Sequence, residues 1–538
     1  MNPAPNEESQ ARQDVIRVLA LAALLFLVQL GARDLWNPNE PAYGRAVAEM
    51  SERGDWLIPT VNGVVFAEKP ILYFWMARAT GVVGGVNELT LRLPSAFSGL
   101  IGVMLVYLLV YPYAGRERAR ISAFLFATLF VVFWSARSVQ MDLLVTVTTL
   151  GAVLAATRVL DHGADPVRGW SLAGLAAGLG MLAKGPVGLI CPGLVVFGYL
   201  LVGRRLRELR WNHLALAAAV CLLVAAPWFA MLAIRGEWAI LHEVLFRQNV
   251  SRFVAPWDHQ EPWWYFAKYL WIDMAPWAVL LPLAAGLGGR AEGERSLDRL
   301  AWVWIASIVF FFSLSASKRS PYILPVAPAV AALAAAPIER LISGTLDRVR
   351  RRAMTGLLAV GGGLFLALGI YLLGRGVEDY PALETAGRGL AVLSGVGGAA
   401  TIAGLLFGRR WPVAAPAALV ATVISVYLLA ATWVLPAANA YKSARPFCTK
   451  VQALVGEDDP LRSYGFWMWR ASYAYYTDRA IENIDSSAEL RLFWNRDEQV
   501  FLLVERGKLK QVREVLGSSD PLIGERIGSN EIYLFTNR

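Results

Sequence analysis

The sequence is short of the residues that keep a protein soluble or stapled. Only 17% of its 538 positions are charged, against about a quarter in an ordinary soluble domain. Three cysteines, Cys191, Cys221 and Cys448, are too few and too scattered for a disulfide framework. The first two sit inside apolar runs and read as packing residues. There are four histidines and no zinc-finger spacing. A Walker loop, a dinucleotide fingerprint and a nucleophile elbow are all missing. These absences exclude a disulfide scaffold and leave ATP-driven transport without a motif. No internal repeat or low-complexity tract stands out.

Apolar residues, by contrast, make up 56% of the chain. That much apolar surface exceeds what one or two soluble cores can hide, so the surplus must face lipid. Runs of about 20 apolar residues recur, the length that crosses about 30 Å of hydrocarbon as a helix. They do not alternate in polarity as barrel strands would. Hydropathy places about 13 spans, near 15–30, 92–113, 121–136, 142–160, 170–183, 186–203, 213–234, 266–288, 300–316, 321–338, 354–374, 389–407 and 413–435. The first has no small-residue cleavage site and reads as an anchor rather than a removed signal. The dozen residues before it are polar and read as disordered.

The net charge is +9, but the basic residues lie in short loops between apolar runs. That pattern indicates topology rather than nucleic-acid binding. With a cytoplasmic N-terminus, the inner loops carry Arg116, Arg118 and Arg120, then Arg204, Arg205, Arg207 and Arg210, then Arg290, Arg295 and Arg299, then Arg340 and Arg348 to Arg352, and finally Arg409 and Arg410. Outer loops near 138, 185 and 380 are poorer in cations. An odd number of spans leaves the C-terminus outside. Residues 1–436 thus read as a membrane domain with long outer loops at 33–87 and 236–265. Residues 437–538 read as a small α/β domain, with strand-like runs at Val500–Val504 and Ile532–Phe535 and a helix-like run at Lys508–Leu516.

Several charged residues collect at the outer ends of spans. Glu40 follows the first span. On its own it would read as a solvated loop carboxylate, but the same loop continues through Glu68-Lys69-Pro70 to the aromatic-rich Leu72–Trp75, which reads as an amphipathic interfacial stretch. Asp142 opens an apolar run, where a carboxylate is costly and usually faces a cavity or a partner. The competing reading is helix capping or a structural ion pair. Lys184, Arg252, Lys318 with Arg319, and Tyr322 lie in outer connections, where the positive-inside rule disfavours cations. Each alone reads as an interfacial anchor. Together they would suit a phosphate, which offers several acceptor oxygens. His259 with Glu68 or Asp258 could hold a divalent metal ion, although the spacing specifies nothing.

In order along the chain, Trp36–Tyr43, Gly54–Pro59, Glu68-Lys69-Pro70 with Tyr73 and Trp75, Arg92–Ser95, the segment around Asp142, Lys184-Gly185, Arg252-Phe253, His259 with Pro262 and Tyr265, and Lys318 with Tyr322–Pro325 form an ordered set. Over roughly residues 14–330 this set resembles the bacterial lipid-A aminoarabinose transferases and the wider membrane glycosyltransferases related to protein O-mannosyltransferases. The resemblance implies an all-α polytopic membrane protein of the GT-C type with a C-terminal α/β periplasmic domain, in the bacterial inner membrane. It implies a polyprenyl-phosphate-linked sugar donor, inverting transfer of a hexose or pentose, and a lipid, glycan or protein acceptor.

On this reading Glu40 and Asp142 are catalytic. Asn39, Tyr43, Lys69, Tyr73, Lys184, Arg252, Lys318 and Tyr322 bind substrate, and Glu68 and His259 hold the metal by family analogy. One departure matters. The family's first-loop pair is typically Asp-Glu, and here it is Asn39-Glu40. Neutral Asn39 cannot act as a base. Either Glu40 or Asp142 takes over, or the acceptor arrives already anionic, or the chain binds without turning over. A lipid or solute transporter is the other class left open. It would place charges at mid-membrane depth in broken helices, whereas these gather at the outer edge.

Overall fold

The computed structural model describes residues 5–254, 259–375, 380–407, 413–466, 471–517 and 519–538; the side chains of residues 5–8, Val250, Arg252 and Arg375 are not among those described. The chain divides into two compact units. One comprises residues 1–28, 67–73 and 92–431, and the other residues 29–66, 74–91 and 432–538.

The first unit is helical. Eight helices among the described residues are long and apolar enough to cross a membrane, fewer than the 13 spans expected. The remaining apolar runs fall short in length, continuity or mean hydropathy. The run at 266–288 breaks into a helix Tyr265–Asp273, a 3-10 turn Trp277–Leu280 and a short helix Leu281–Ala284. Pro276 and Pro282 lie in that break, and neither can donate a backbone hydrogen bond. The run at 121–136 is split at Leu129, whose backbone is extended between Glu88–Thr128 and the helix Phe130–Ala136; Glu88–Thr128 is itself two helices that meet at a kink at Gly115, where φ is 75°. Hydropathy records composition and misses such interruptions. Of the first dozen residues, expected to be disordered, residues 5–12 belong to a helix that starts at Pro5 and ends at Leu27, and residues 1–4 lie outside the described residues.

Four helices, Asp142–His162, Pro166–Lys184, Val187–Val202 and Trp211–Ile234, pack against one another. The second starts where it does because the Asp165 side chain accepts from the Arg168 N–H at 2.7 Å and Pro166 occupies the first turn. It meets Val187–Val202 at a near contact of backbones. A Cβ on Gly188 would lie 2.0 Å from the Gly180 carbonyl carbon, so only glycine lets these helices come so close. The segment Ser320–Ile342 is 83% buried over its most apolar stretch, whereas Arg348–Gly374, Pro381–Phe407 and Ala414–Ala437 are 17–22% buried. The former is core. The latter three pack mainly on one another and leave broad apolar faces for lipid.

The second unit joins residues 29–66 and 74–91 to the C-terminal segment from 432 onward. It holds a hairpin of β1 (Thr60–Val61) and β2 (Val64–Val65) and a five-stranded sheet of β3 (Leu461–Tyr464), β4 (Glu482–Ile484), β5 (Phe501–Glu505), β6 (Ile523–Ile527) and β7 (Asn530–Thr536). The order is β4-β3-β5-β7-β6. β3 runs parallel to β4 and β5, and β7 antiparallel to β5 and β6. Alternation along β5 sends Phe501 and Leu503 into one core and Leu502 and Val504 into another, the two-residue period of a sheet covered on both faces.

Polar contacts bind the loop to this domain. Arg445 pairs with Asp34 at 2.9 Å and with Glu88, both buried carboxylates. The Tyr476 hydroxyl accepts from the Leu35 N–H at 2.6 Å and donates to Glu88 at 3.2 Å. Burial, with Glu88 and Asp34 nearby, raises the pKa of that phenol. The helix Glu40–Glu52 packs on Ala471–Thr477. Leu72–Trp75 opens a helix, Leu72–Gly84, in which Tyr73 and Phe74 are fully buried.

Two outcomes follow. Gly188→Val forces the paired helices apart and destabilises the fold by about 1–3 kcal/mol, read as a lower unfolding temperature in detergent. Arg445→Ala removes the cation shared by two buried carboxylates, Asp34 and Glu88, and speeds limited proteolysis within residues 29–66.

Candidate active site

The helix Pro166–Lys184 ends at Gly185, where φ is 76° and ψ is −153°, a backbone that side chains with a Cβ rarely adopt. Pro186 then starts the next helix. The turn holds Lys184 at a helix end, where its ammonium pairs with the Asp142 carboxylate. The ammonium also stands 4.6 Å from the centroid of the Tyr322 ring, a cation–π contact. Asp142 occupies the first turn of its own helix. Of the two readings weighed for Asp142, the structure presents the ion pair, with both side chains partly buried.

Lys184 and Tyr322 border a cavity of about 290 Å³. Glu68 and Lys69 line it from one chain segment, and Gln248 and Asn249 from another. Val187, Ile190, Phe253, Phe311 and Phe312 make apolar walls. Gln248 and Asn249 lie on a π-helix, Glu243–Ser251, a form that often marks functional sites. The Asn249 amide packs on Gly185, 3.0 Å from where a Cβ would project. Charged groups set into mainly apolar walls make an amphiphilic pocket, suited to a lipid with an anionic head.

The other expected site residues fall elsewhere. Glu40, in the second unit, is buried and makes a bidentate pair with Arg33 at 2.7 and 3.0 Å. To act as a base it would first have to release that guanidinium. Asn39 precedes the helix Glu40–Glu52 without a side-chain capping bond. Tyr43 is a core residue, edge-on to Phe66 and Phe74 with centroids 5.9 and 6.1 Å away. Tyr73 is buried too, its hydroxyl 2.8 Å from Ser95 Oγ. Both tyrosines were expected to bind substrate; Tyr43 sits in an aromatic cluster, and the Tyr73 hydroxyl is taken up by Ser95. Lys318 is buried, and its ammonium donates to the carbonyls of Ser315 and Glu261. Burial lowers its pKa, with Glu261 opposing. These bonds clamp residues 259–261 to 315–318, of which Ser315 and Ser317 line the cavity. The Arg252 side chain lies outside the described residues.

A metal ion was expected at Glu68 and His259. Glu68 borders the cavity. His259 is exposed, and its backbone carbonyl accepts from the Lys318 N–H at 2.9 Å. Among the described residues no group of three or more His, Cys, Asp and Glu could hold an ion, and Asp258 lies outside them. Gln248, Asn249 and the phenylalanines were missed by sequence reasoning. The π-helix that aligns the two amides has no sequence signature, and phenylalanines in an apolar run look like lipid-facing residues.

Residues 68–230 match the family model described as dolichyl-phosphate-mannose-protein mannosyltransferase. The undecaprenyl phosphate-α-4-amino-4-deoxy-L-arabinose arabinosyl transferase of Pectobacterium carotovorum subsp. carotovorum (strain PC1) is 33% identical over 387 residues, 70% of this chain and 68% of that protein. The enzyme of the same name from Aeromonas salmonicida (strain A449) is 31% identical over 68% of each chain. Among solved structures, ArnT from Cupriavidus metallidurans bound to undecaprenyl phosphate superposes with a TM-score of 0.78 at 20% identity, over 97% of this chain and 98% of that one. That likeness shows a shared fold.

The Lys184–Asp142 pair is open to a double-mutant cycle. Lys184→Met and Asp142→Asn each lower unfolding stability in detergent by about 1–3 kcal/mol. The double variant should lose about 1–2 kcal/mol less than their sum.

Proposed function

Because the chain belongs to the family of the undecaprenyl phosphate-α-4-amino-4-deoxy-L-arabinose arabinosyl transferases, we propose that it is a membrane glycosyltransferase. It moves a sugar from a polyprenyl-phosphate donor to a lipid or glycan acceptor. The observation that carries this reading is the amphiphilic cavity, where Lys69 and Lys184 stand among apolar walls. The polyprenyl tail lies against Val187, Ile190 and the phenylalanines. The phosphate lies against the two ammonium groups. As the bond from the sugar's anomeric carbon to the phosphate oxygen breaks, negative charge grows on the departing polyprenyl phosphate, and fixed cations stabilise it. Asp142 and Tyr322 hold Lys184 in place for that task and keep its charge from being drawn away into water.

The acceptor oxygen attacks the anomeric carbon from the face opposite the leaving phosphate, so the sugar's configuration inverts. Both carboxylates proposed for catalysis carry a cationic partner, Glu40 with Arg33 and Asp142 with Lys184, and Asn39 has no charge. This favours an acceptor that is already anionic, such as a phosphate, which needs no base at neutral pH. The protein works at the outer face of the bacterial inner membrane, with its N-terminus cytoplasmic and its C-terminal domain periplasmic, as the arginine-rich loops support. A donor linked to a lipid suits that face, where nucleotide sugars are not available.

Purified protein given labelled undecaprenyl-phosphate sugar and phosphorylated glycolipid acceptors should form labelled product. Lys184→Met should lower kcat/KM by about a hundredfold or more, with Lys184→Arg recovering part of the loss. Full activity in the Lys69→Ala, Lys184→Ala double variant would refute the phosphate cradle.

A further inference from the structure

The second unit has a cavity of its own, with a volume of about 870 Å³. One wall is the β1–β2 hairpin, at Asn62 and Val64. The rest comes from the sheet's edge, with Phe466 just past β3, Glu482, Asn483 and Asp485 on and beyond β4, and Lys508 beyond β5. The topology explains the position. The chain leaves β3 by the helix Ala471–Thr477 for β4 on one side, then by Ser487–Trp494 for β5 on the other. Both neighbours run parallel to β3. Connections therefore diverge on either side of β3. The crevice outside the carboxyl ends of parallel strands at such a point is where open α/β sheets bind ligands.

The lining narrows the ligand class. Glu482 pairs with Arg462, which leaves one carboxylate, Asp485, and one ammonium, Lys508, so the crevice has no net positive charge to hold a phosphate or nucleotide. An apolar ligand would take water from Asp485, Lys508 and the Asn62 amide nitrogen. The Asn483 carbonyl oxygen already accepts from the Phe466 N–H at 2.7 Å, which fixes the backbone at Phe466, one of two aromatic residues, with Tyr473, in the described lining. A ligand with many hydroxyls and an apolar ring face meets both demands, because each hydroxyl donates and accepts. We infer that this switch-point crevice binds a saccharide without net negative charge, hydrogen-bonded by Asn62, Asp485 and Lys508 with a sugar ring on Phe466. The inference rests on the α/β unit alone and is independent of the transferase reading.

The test uses the full-length protein in nanodiscs, titrated by calorimetry with the neutral glycans chitotetraose, cellotetraose and mannotetraose and, as a control, inorganic pyrophosphate. At least one of the three glycans should bind, and pyrophosphate should not compete with it. Val64→Trp fills the cavity mouth from an exposed position and should weaken glycan binding about tenfold or more, as should Lys508→Ala. Both variants should bind undecaprenyl phosphate as the parent does. No glycan binding up to roughly 10 mM, unchanged affinity in both variants, or equal competition by pyrophosphate would overturn the assignment.

Discussion

An ammonium group next to apolar walls is stable only if something holds it, and Lys184 is held by the Asp142 carboxylate and the Tyr322 ring. Much of the first unit serves this arrangement. Gly185 ends one helix so that Lys184 stands at its tip, and Gly180 with Gly188 brings the next helix close enough for Val187 and Ile190 to wall the cavity. The segment carrying Tyr322 leads into the most deeply buried of the apolar helices. Remove the pair, and a cation would be left facing apolar side chains at the edge of the hydrocarbon, where charge is expensive.

The second unit relies on the same economy of charge. Arg33 neutralises Glu40, and Arg445 serves Asp34 and Glu88 together. These are buried ion pairs whose loss would leave carboxylates without partners. They make the first outer loop part of an α/β body rather than a free connection. The α/β body brings its own ligand geometry, because its parallel strands diverge in their connections at β3.

The carboxylates bear on mechanism. A carboxylate in a bidentate pair with a guanidinium is a poor base, since taking up a proton would weaken both hydrogen bonds. With Glu40 held in this way, Asp142 bound to Lys184 and Asn39 uncharged, none of the three is a ready base in this structure. Arginines counted as topology signals also have structural tasks: Arg118 is buried against Asp298 and the Ala332 carbonyl, and Arg205 bridges Asp161 and Glu208.

Composition and periodicity alone determined that the chain is a helical membrane protein with an α/β tail, because a surplus of apolar residues in long runs has one cheap solution in lipid, and two-residue alternation has one in a sheet. The importance of Lys69, Lys184, Asp142 and Tyr322 was also legible, since charge or a polar ring at the end of an apolar run is conspicuous. Only the tertiary structure decided that Asp142 and Lys184 are partners, that Tyr43 and Tyr73 are core, that Lys318 clamps a loop, and that the first loop joins the C-terminal sheet. Each of these depends on which residues meet across long separations in the chain. Local pattern carries no information about that, because a buried ion pair and a solvated charge have the same neighbours in sequence.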